Sequence, residues 1–136
     1  MKISMILAVL ATLLFSPPAQ KKTSWAGAVS NGFKGDTITF DISADGKRLQ
    51  NLTFKGYWRC SGRRLEELII GPEKSYPIVN GKVDMAITEP EGGGATALRY
   101  DLKADIKGKS ASGTLRINLN ALGCDTYLLN WTANMK

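Results

Sequence analysis

Short runs of alternating apolar and polar residues, separated by glycine-containing turns, constrain the fold of this chain more than any other feature. In the run 36–43, Ile38, Phe40 and Ile42 fall on one side of an extended chain and polar residues fall on the other. Successive side chains of a β-strand point to opposite faces, so this pattern predicts a strand with one buried face. Comparable runs occupy residues 48–58, 82–88, 97–106 and 113–119.

The segments between these runs carry turn signals. Asn80-Gly81 is the strongest of them, because an Asn-Gly pair between alternating runs favours a tight hairpin. The segment 61–70 is ambiguous, and we interpret it as a loop leading into a short strand. With no convincing long helix, the chain is predicted to be all-β. We expect a single antiparallel β-sandwich of eight or nine short strands, immunoglobulin-like or jelly-roll-like, with a barrel as the alternative.

The first residues have the pattern of an export signal. Met1-Lys2 is followed by an apolar run over residues 3–15, and Ser16-Pro-Pro-Ala19 then breaks any helix. A membrane span needs roughly 20 apolar residues, so the shorter run favours a signal peptide over residues 1–19. We therefore predict one mature domain over residues 20–136 in a secreted or periplasmic protein, with no transmembrane span. An uncleaved anchor is the alternative.

Cys60 and Cys124 are the only two cysteines in the sequence. In an oxidising compartment they most simply form one disulfide, which should stabilise the fold by about 3 to 4 kcal/mol; two free buried thiols are the alternative. A regular strand that buried Cys124 would expose Leu129 and Trp131. Cys124 is therefore predicted to lie at a strand entrance or bulge, Cys60 at a strand exit, and Tyr127 in the core.

Four stretches resemble those of small secreted bacterial β-sandwich proteins of uncharacterised function. They are Trp25-Ala-Gly, the hairpin Ile-Thr-Phe-Asp-Ile-Ser-Ala-Asp-Gly46, Gly-Tyr-Trp-Arg-Cys60, and Gly-Cys124-Asp-Thr with the trailing Trp131. The resemblance covers most of the mature chain and implies a compartment and a fold. It implies no activity.

The chain contains no histidine, and this excludes catalytic triads and metal sites that depend on histidine. Paired carboxylates could still hydrolyse glycosides, and the nearest candidates are Glu66 with Glu67 and Glu89 with Glu91. Adjacent residues of an extended chain point to opposite sides, and the second pair flanks a proline in a glycine-rich loop. We therefore predict no catalytic residues, no metal and no cofactor.

The residues that best fit a binding site are Tyr57, Arg59, Arg63 and Arg64, beside Cys60. Guanidinium groups bind carboxylates, sulfates and phosphates through paired hydrogen bonds, and an aromatic ring can stack against a sugar. A disulfide beside them would hold the loop in place before binding. The alternative is that Arg63 and Arg64 form surface ion pairs with Glu66 and Glu67.

The formal net charge of +6 suits contact with anionic surfaces. We predict a secreted non-catalytic binding module for an anionic polysaccharide or a protein partner at the cell exterior. The alternative is a structural protein that self-associates through an edge strand, and a small carboxylate-dependent hydrolase ranks last. Nucleic acid is not an expected partner, because the sequence has no zinc-finger cysteines and no basic recognition helix.

Overall fold

The computed structural model describes residues 21–136, and the predicted signal peptide over residues 1–19 lies outside this range. The described part is all-β apart from a 3₁₀ turn at Asn120–Leu122. In chain order its strands are β1 (Thr23–Val29), β2 (Thr37–Ile42), β3 (Arg48–Cys60), β4 (Arg64–Ile70), β5 (Tyr76–Pro77), β6 (Lys82–Glu89), β7 (Leu98–Lys107), β8 (Ser110–Leu119), β9 (Cys124–Asp125) and β10 (Leu129–Met135). No helix among the described residues is long and apolar enough to cross a membrane.

Six strands close into a ring of antiparallel pairs. The order around the ring is β1-β2-β3-β9-β8-β10, and β10 completes it by pairing with both β1 and β8. The remaining strands extend this ring: β7 and β6 continue outward from β8, and β4 and β5 pair with β3. The prediction of an all-β fold is therefore confirmed.

The ring fits the predicted barrel alternative better than two separate sheets packed face to face. Two connections make the difference. Asp125 of β9 pairs with Arg59 and Asn118, so this two-residue strand bridges β3 and β8. Met135 at the end of β10 pairs with Trp25, which joins the last strand to the first. Both pairings bring together residues far apart in sequence.

The core extends from the inside of the ring to the buried faces of β5, β6 and β7, and in β3 it follows the predicted alternation. In β3, the residues Leu52, Phe54 and Trp58 are buried, as expected. Aromatic rings continue across neighbouring strands, with Trp25 stacked on Phe40 at 5.7 Å between centroids and Phe40 edge-on to Trp131 at the same distance. Burying large aromatic side chains is among the strongest contributions to the stability of a small domain.

The disulfide between Cys60 and Cys124 closes one end of the ring, and its prediction is confirmed. Cys60 is the last residue of β3 and Cys124 is the first residue of β9, as the strand-exit and strand-entrance assignment required. Both cysteines are buried. We call this the disulfide end, and it carries the loops that lead from β1 to β2 and from β9 to β10.

Candidate functional site

The four residues predicted to bind a ligand do not form one cluster. Tyr57 and Arg59 lie on the outer face of β3, since they alternate with buried Trp58 and Cys60. Arg64 pairs with Cys60 across the hairpin and so lies on the other face, where it forms an ion pair with Glu66 at 3.1 Å.

Arg63 occupies the turn between β3 and β4. It is exposed and has a left-handed backbone with a φ of 62°. The alternative proposed for this segment, a surface charge pair, is confirmed for Arg64. Tyr57 and Arg59 remain together as candidate binding residues.

Tyr57 and Arg59 line a cleft of about 300 Å³ at the disulfide end, which we call the aromatic groove. Its other walls come from the loop after β1 and from the segment between β9 and β10. The residues that line the groove include Asn31, Phe33, Tyr57, Arg59, Tyr127 and Leu128.

The Arg59 guanidinium lies over the Phe33 ring, with its central carbon 5.1 Å from the ring centroid. Phe33 in turn meets Tyr57 edge to face at 5.9 Å between centroids. Attraction between a cation and an aromatic face holds the guanidinium in place without neutralising it. Within residues 21–136, Arg59 forms no ion pair. Its charge is therefore available to a ligand.

The carboxylate opposite Arg59 in the strand register is already engaged. Asp125 accepts two hydrogen bonds from Arg116, at 3.1 and 2.6 Å, and another from the backbone N–H of Tyr127 at 2.6 Å. Paired bonds of this kind are among the stronger ones available to arginine. Arg116 is therefore held by a carboxylate within the protein, whereas Arg59 has no such partner.

Tyr127 was predicted to lie in the core, and this prediction was wrong. Its side chain is 61% exposed, and its backbone is left-handed with a φ of 55°. The Asp125 carboxylate accepts the Tyr127 N–H, and the Thr126 hydroxyl donates to the Tyr127 carbonyl at 2.8 Å. Non-glycine residues rarely adopt this conformation, and such residues concentrate at functional sites. Tyr127 is thus fixed in an outward position at the edge of the groove.

Asn31 ties the two loops of the groove together. Its side-chain amide donates to the Leu128 carbonyl at 3.0 Å, and its side-chain oxygen accepts the Asn130 N–H at 2.6 Å. Because the loops are joined before any ligand arrives, binding should cost little ordering of the backbone.

Asp36 supports the groove from beneath and is the one buried charged residue in the described chain. One carboxylate oxygen accepts the Phe33 N–H at 2.9 Å, while the other is buried near the Tyr57 backbone amide without a hydrogen bond of good geometry. A methyl group at Gly32 or Gly56 would collide with this carboxylate, so both glycines make room for it. Burial raises the pKa of Asp36, and hydrogen bonding from the backbone amides of Phe33 and Tyr57 opposes that shift.

The carboxylate pairs considered for catalysis serve other contacts. Glu66 and Glu67 are adjacent in β4 and therefore point to opposite faces. Glu89 accepts the Glu73 N–H at 3.0 Å, and Glu91 forms an ion pair with Lys74 at 2.7 Å. Neither pair presents two free carboxyl groups to one substrate.

Among the described residues, one group of potential metal ligands comes together: Cys60, Cys124 and Glu66, with their ligand atoms within 4.8 Å of one another. Both sulfurs belong to the disulfide. They are not thiolates, which is the form that binds metals.

A larger cleft of about 450 Å³ lies over β6, β7 and β8, but its arginines already have partners. Arg99 makes two bonds to Asp101, at 3.0 and 3.1 Å, and Arg116 is held by Asp125. The aromatic groove is smaller, and it combines exposed aromatic surface with an arginine that has no such partner.

Sequence reasoning missed Phe33 and Leu128 and misplaced Tyr127. Phe33 is the one aromatic residue in the polar segment 30–35, and that isolation was a usable signal. For Tyr127 the signal was Asp125, because an aspartate often bonds the amide two residues later and permits an irregular backbone.

No family model, curated protein or solved structure matches this chain.

Proposed function

We propose that this protein is an exported, non-catalytic binding module that holds an anionic sugar ligand in the aromatic groove. The observation that carries the proposal is the state of Arg59, which is held over Phe33 and has no ion-pair partner in residues 21–136. A carboxylate on a sugar ring could accept two hydrogen bonds from this guanidinium. The exposed face of Tyr127 offers a surface against which the ring can stack.

Export is part of the proposal. The leader over residues 1–19 favours it, and the Cys60–Cys124 disulfide is compatible with an oxidising compartment. An anionic glycan at the cell exterior is the kind of ligand that such a compartment would offer.

Replacing Arg59 tests the proposal. We expect Arg59→Ala to weaken binding of an oligogalacturonide, a chain of sugars that each carry one carboxylate, by at least about tenfold, because hydrogen bonds to charged groups contribute about 1.5 to 3 kcal/mol. Isothermal titration calorimetry would measure the change. Arg63→Ala is the matched control, since it removes the same charge from an exposed turn outside the groove. Equal losses in the two variants would contradict the proposal and indicate attraction by net charge alone.

Self-association is the second candidate, and β4 favours it. This strand pairs only with β3 among the described strands, and its side chains Leu65 and Ile69 are 45% and 68% exposed. An exposed, apolar edge strand can pair with a second copy of the same chain.

We expect a concentration-dependent dimer that Ile69→Lys abolishes, because a lysine on an edge strand opposes pairing. Light scattering across a wide range of concentration measures this. Val79→Lys is the control, since Val79 is also exposed but lies outside β4. A wild-type protein that is monomeric at every concentration would eliminate this candidate.

A further inference from the structure

The end of the ring opposite the disulfide contains another cleft, of about 340 Å³, with a largely apolar lining. Trp25, Ile42, Ile78, Ile106 and Met135 supply that lining. Ile42 and Met135 are the last residues of β2 and β10, and Ile106 stands one residue before the end of β7. The cleft therefore lies at the open mouth of the ring, where β1, β2 and β10 meet the end of β7 and the turn before β6. None of its residues belongs to the aromatic groove.

Glycine turns line this mouth. Gly46, Gly81 and Gly108 line it, all with positive φ, and a methyl group at Gly46 or Gly108 would meet no atom within 4 Å. Backbone hydrogen bonds hold the rim together. The Ile106 N–H donates to the Gly81 carbonyl at 2.8 Å, and the Met135 N–H donates to the Lys109 carbonyl at 2.9 Å. The mouth is preformed and accessible.

Six lysines at this end of the fold are each adjacent in the sequence to a residue that lines the mouth. Lys22 precedes Thr23, Lys47 follows Gly46, Lys82 follows Gly81 and Lys136 follows Met135. Lys107 and Lys109 flank Gly108 in the same way. All of these lysines are exposed. We call the whole arrangement the lysine-rimmed mouth.

The charge of this rim is only partly neutralised. Lys22 contacts Asp41 at 3.5 Å and Lys107 contacts Asp105 at 3.7 Å, whereas the other rim lysines form no ion pair within residues 21–136. Three aspartates adjoin lining residues in the same way, namely Asp41, Asp45 and Asp105, and Asp45 interacts with Lys47. Six lysines against three aspartates leave an excess of positive charge beside the apolar lining of the mouth. A polyanion would bind the lysines without contacting the apolar lining of the cleft. A neutral apolar molecule would contact that lining without using the lysines.

We propose that the lysine-rimmed mouth binds the acyl chain of an anionic amphiphile such as a fatty-acid carboxylate. The chain enters the cleft against Ile42, Ile106 and Met135, where its removal from water drives binding. The carboxylate stays at the opening among the lysines, whose ammonium groups donate hydrogen bonds and neutralise its charge. This ligand uses both parts of the mouth at once.

Titration with laurate below its micelle concentration tests the proposal, with the fluorescence of the tryptophans as one readout and calorimetry as the second. We expect saturable binding to the wild-type protein and at least about tenfold weaker binding to Met135→Glu, which places a charge in the apolar lining. Asn134→Glu is the matched control, since it adds the same charge one residue away on an exposed side chain and leaves that lining intact. Circular dichroism checks that both variants are folded.

The rim is tested separately at surface positions that do not affect folding. Lys107→Gln with Lys109→Gln should weaken laurate binding several-fold and leave binding of the uncharged dodecanol unchanged. Three results would overturn the proposal: no saturable laurate binding to the wild type, equal affinity for laurate and dodecanol, or binding only to vesicles of phosphatidylglycerol and not to monomeric laurate. The last would assign the lysines to a membrane surface instead.

Discussion

Replacing both cysteines by alanine should lower the free energy of unfolding by about 3 to 4 kcal/mol, which is a larger loss of stability than we expect from any other substitution. The disulfide closes a loop between residues separated by 64 positions, and a cross-link over so long a loop strongly restricts the unfolded chain. Urea denaturation of the wild type and of Cys60→Ala with Cys124→Ala measures the difference.

The same experiment in the presence of a thiol reductant supplies the control. Reductant should destabilise the wild type and leave the alanine variant unchanged, since the variant has no bond to break. If the variant and the oxidised wild type differ by less than about 1 kcal/mol, the disulfide does not hold this end of the ring together as we describe.

The second large effect concerns Asp36 and depends on pH. Burial raises the pKa of this carboxyl in the folded protein, so the folded state favours its neutral form. The stability associated with that neutral form is present below the ordinary aspartate pKa of about 3.9 and is lost as the pH rises through the folded-state pKa. Above that range the protein must keep a charged carboxylate in its interior.

We therefore expect the wild type to lose stability relative to Asp36→Asn as the pH rises from about 4 through the folded-state pKa of Asp36, and urea denaturation at a series of pH values would measure this. Comparison with the variant is needed because other carboxylates act in the opposite direction. Hydrogen bonding to Asn51 lowers the pKa of Asp41, for example, and its contribution is lost in acid in both proteins. A difference between the two proteins that does not change with pH would show that Asp36 does not titrate differently on folding.

The local features of this fold could be read from the sequence because they depend on neighbouring residues. Alternation identified the buried positions Phe54 and Trp58 of β3, and the same argument placed Cys60 at a strand exit. The closed ring was only the alternative to the predicted sandwich, since it depends on β10 pairing with both β1 and β8. Alternation within a strand does not specify its partners.

The segment 61–70 also shows that spacing within a segment does not determine which strand it pairs with. Its apolar residues fit either helical or strand spacing, and pairing with β3 makes residues 64–70 a strand. The predicted loop is thereby reduced to the turn at residues 61–63.

The candidate site was predicted in part. Tyr57 and Arg59 were chosen, with Arg63 and Arg64, because arginines cluster there beside an aromatic residue and a cysteine. In the structure both alternate outward on a regular strand, which separates them from Arg64 on the opposite face. Tyr127 was misplaced because the alternation argument assumes regular backbone, whereas side-chain hydrogen bonds from Asp125 and Thr126 hold it in a left-handed conformation. Phe33 enters the site from a loop, where periodicity gives no information.

Mapping of backbone amide chemical shifts during titration with an oligogalacturonide tests the central claim most directly. The account predicts saturable shifts concentrated at Phe33, Tyr57, Arg59 and Tyr127, with residues of the lysine-rimmed mouth unaffected. Shifts spread over the exposed lysines, or the absence of saturable shifts in the aromatic groove, would contradict it.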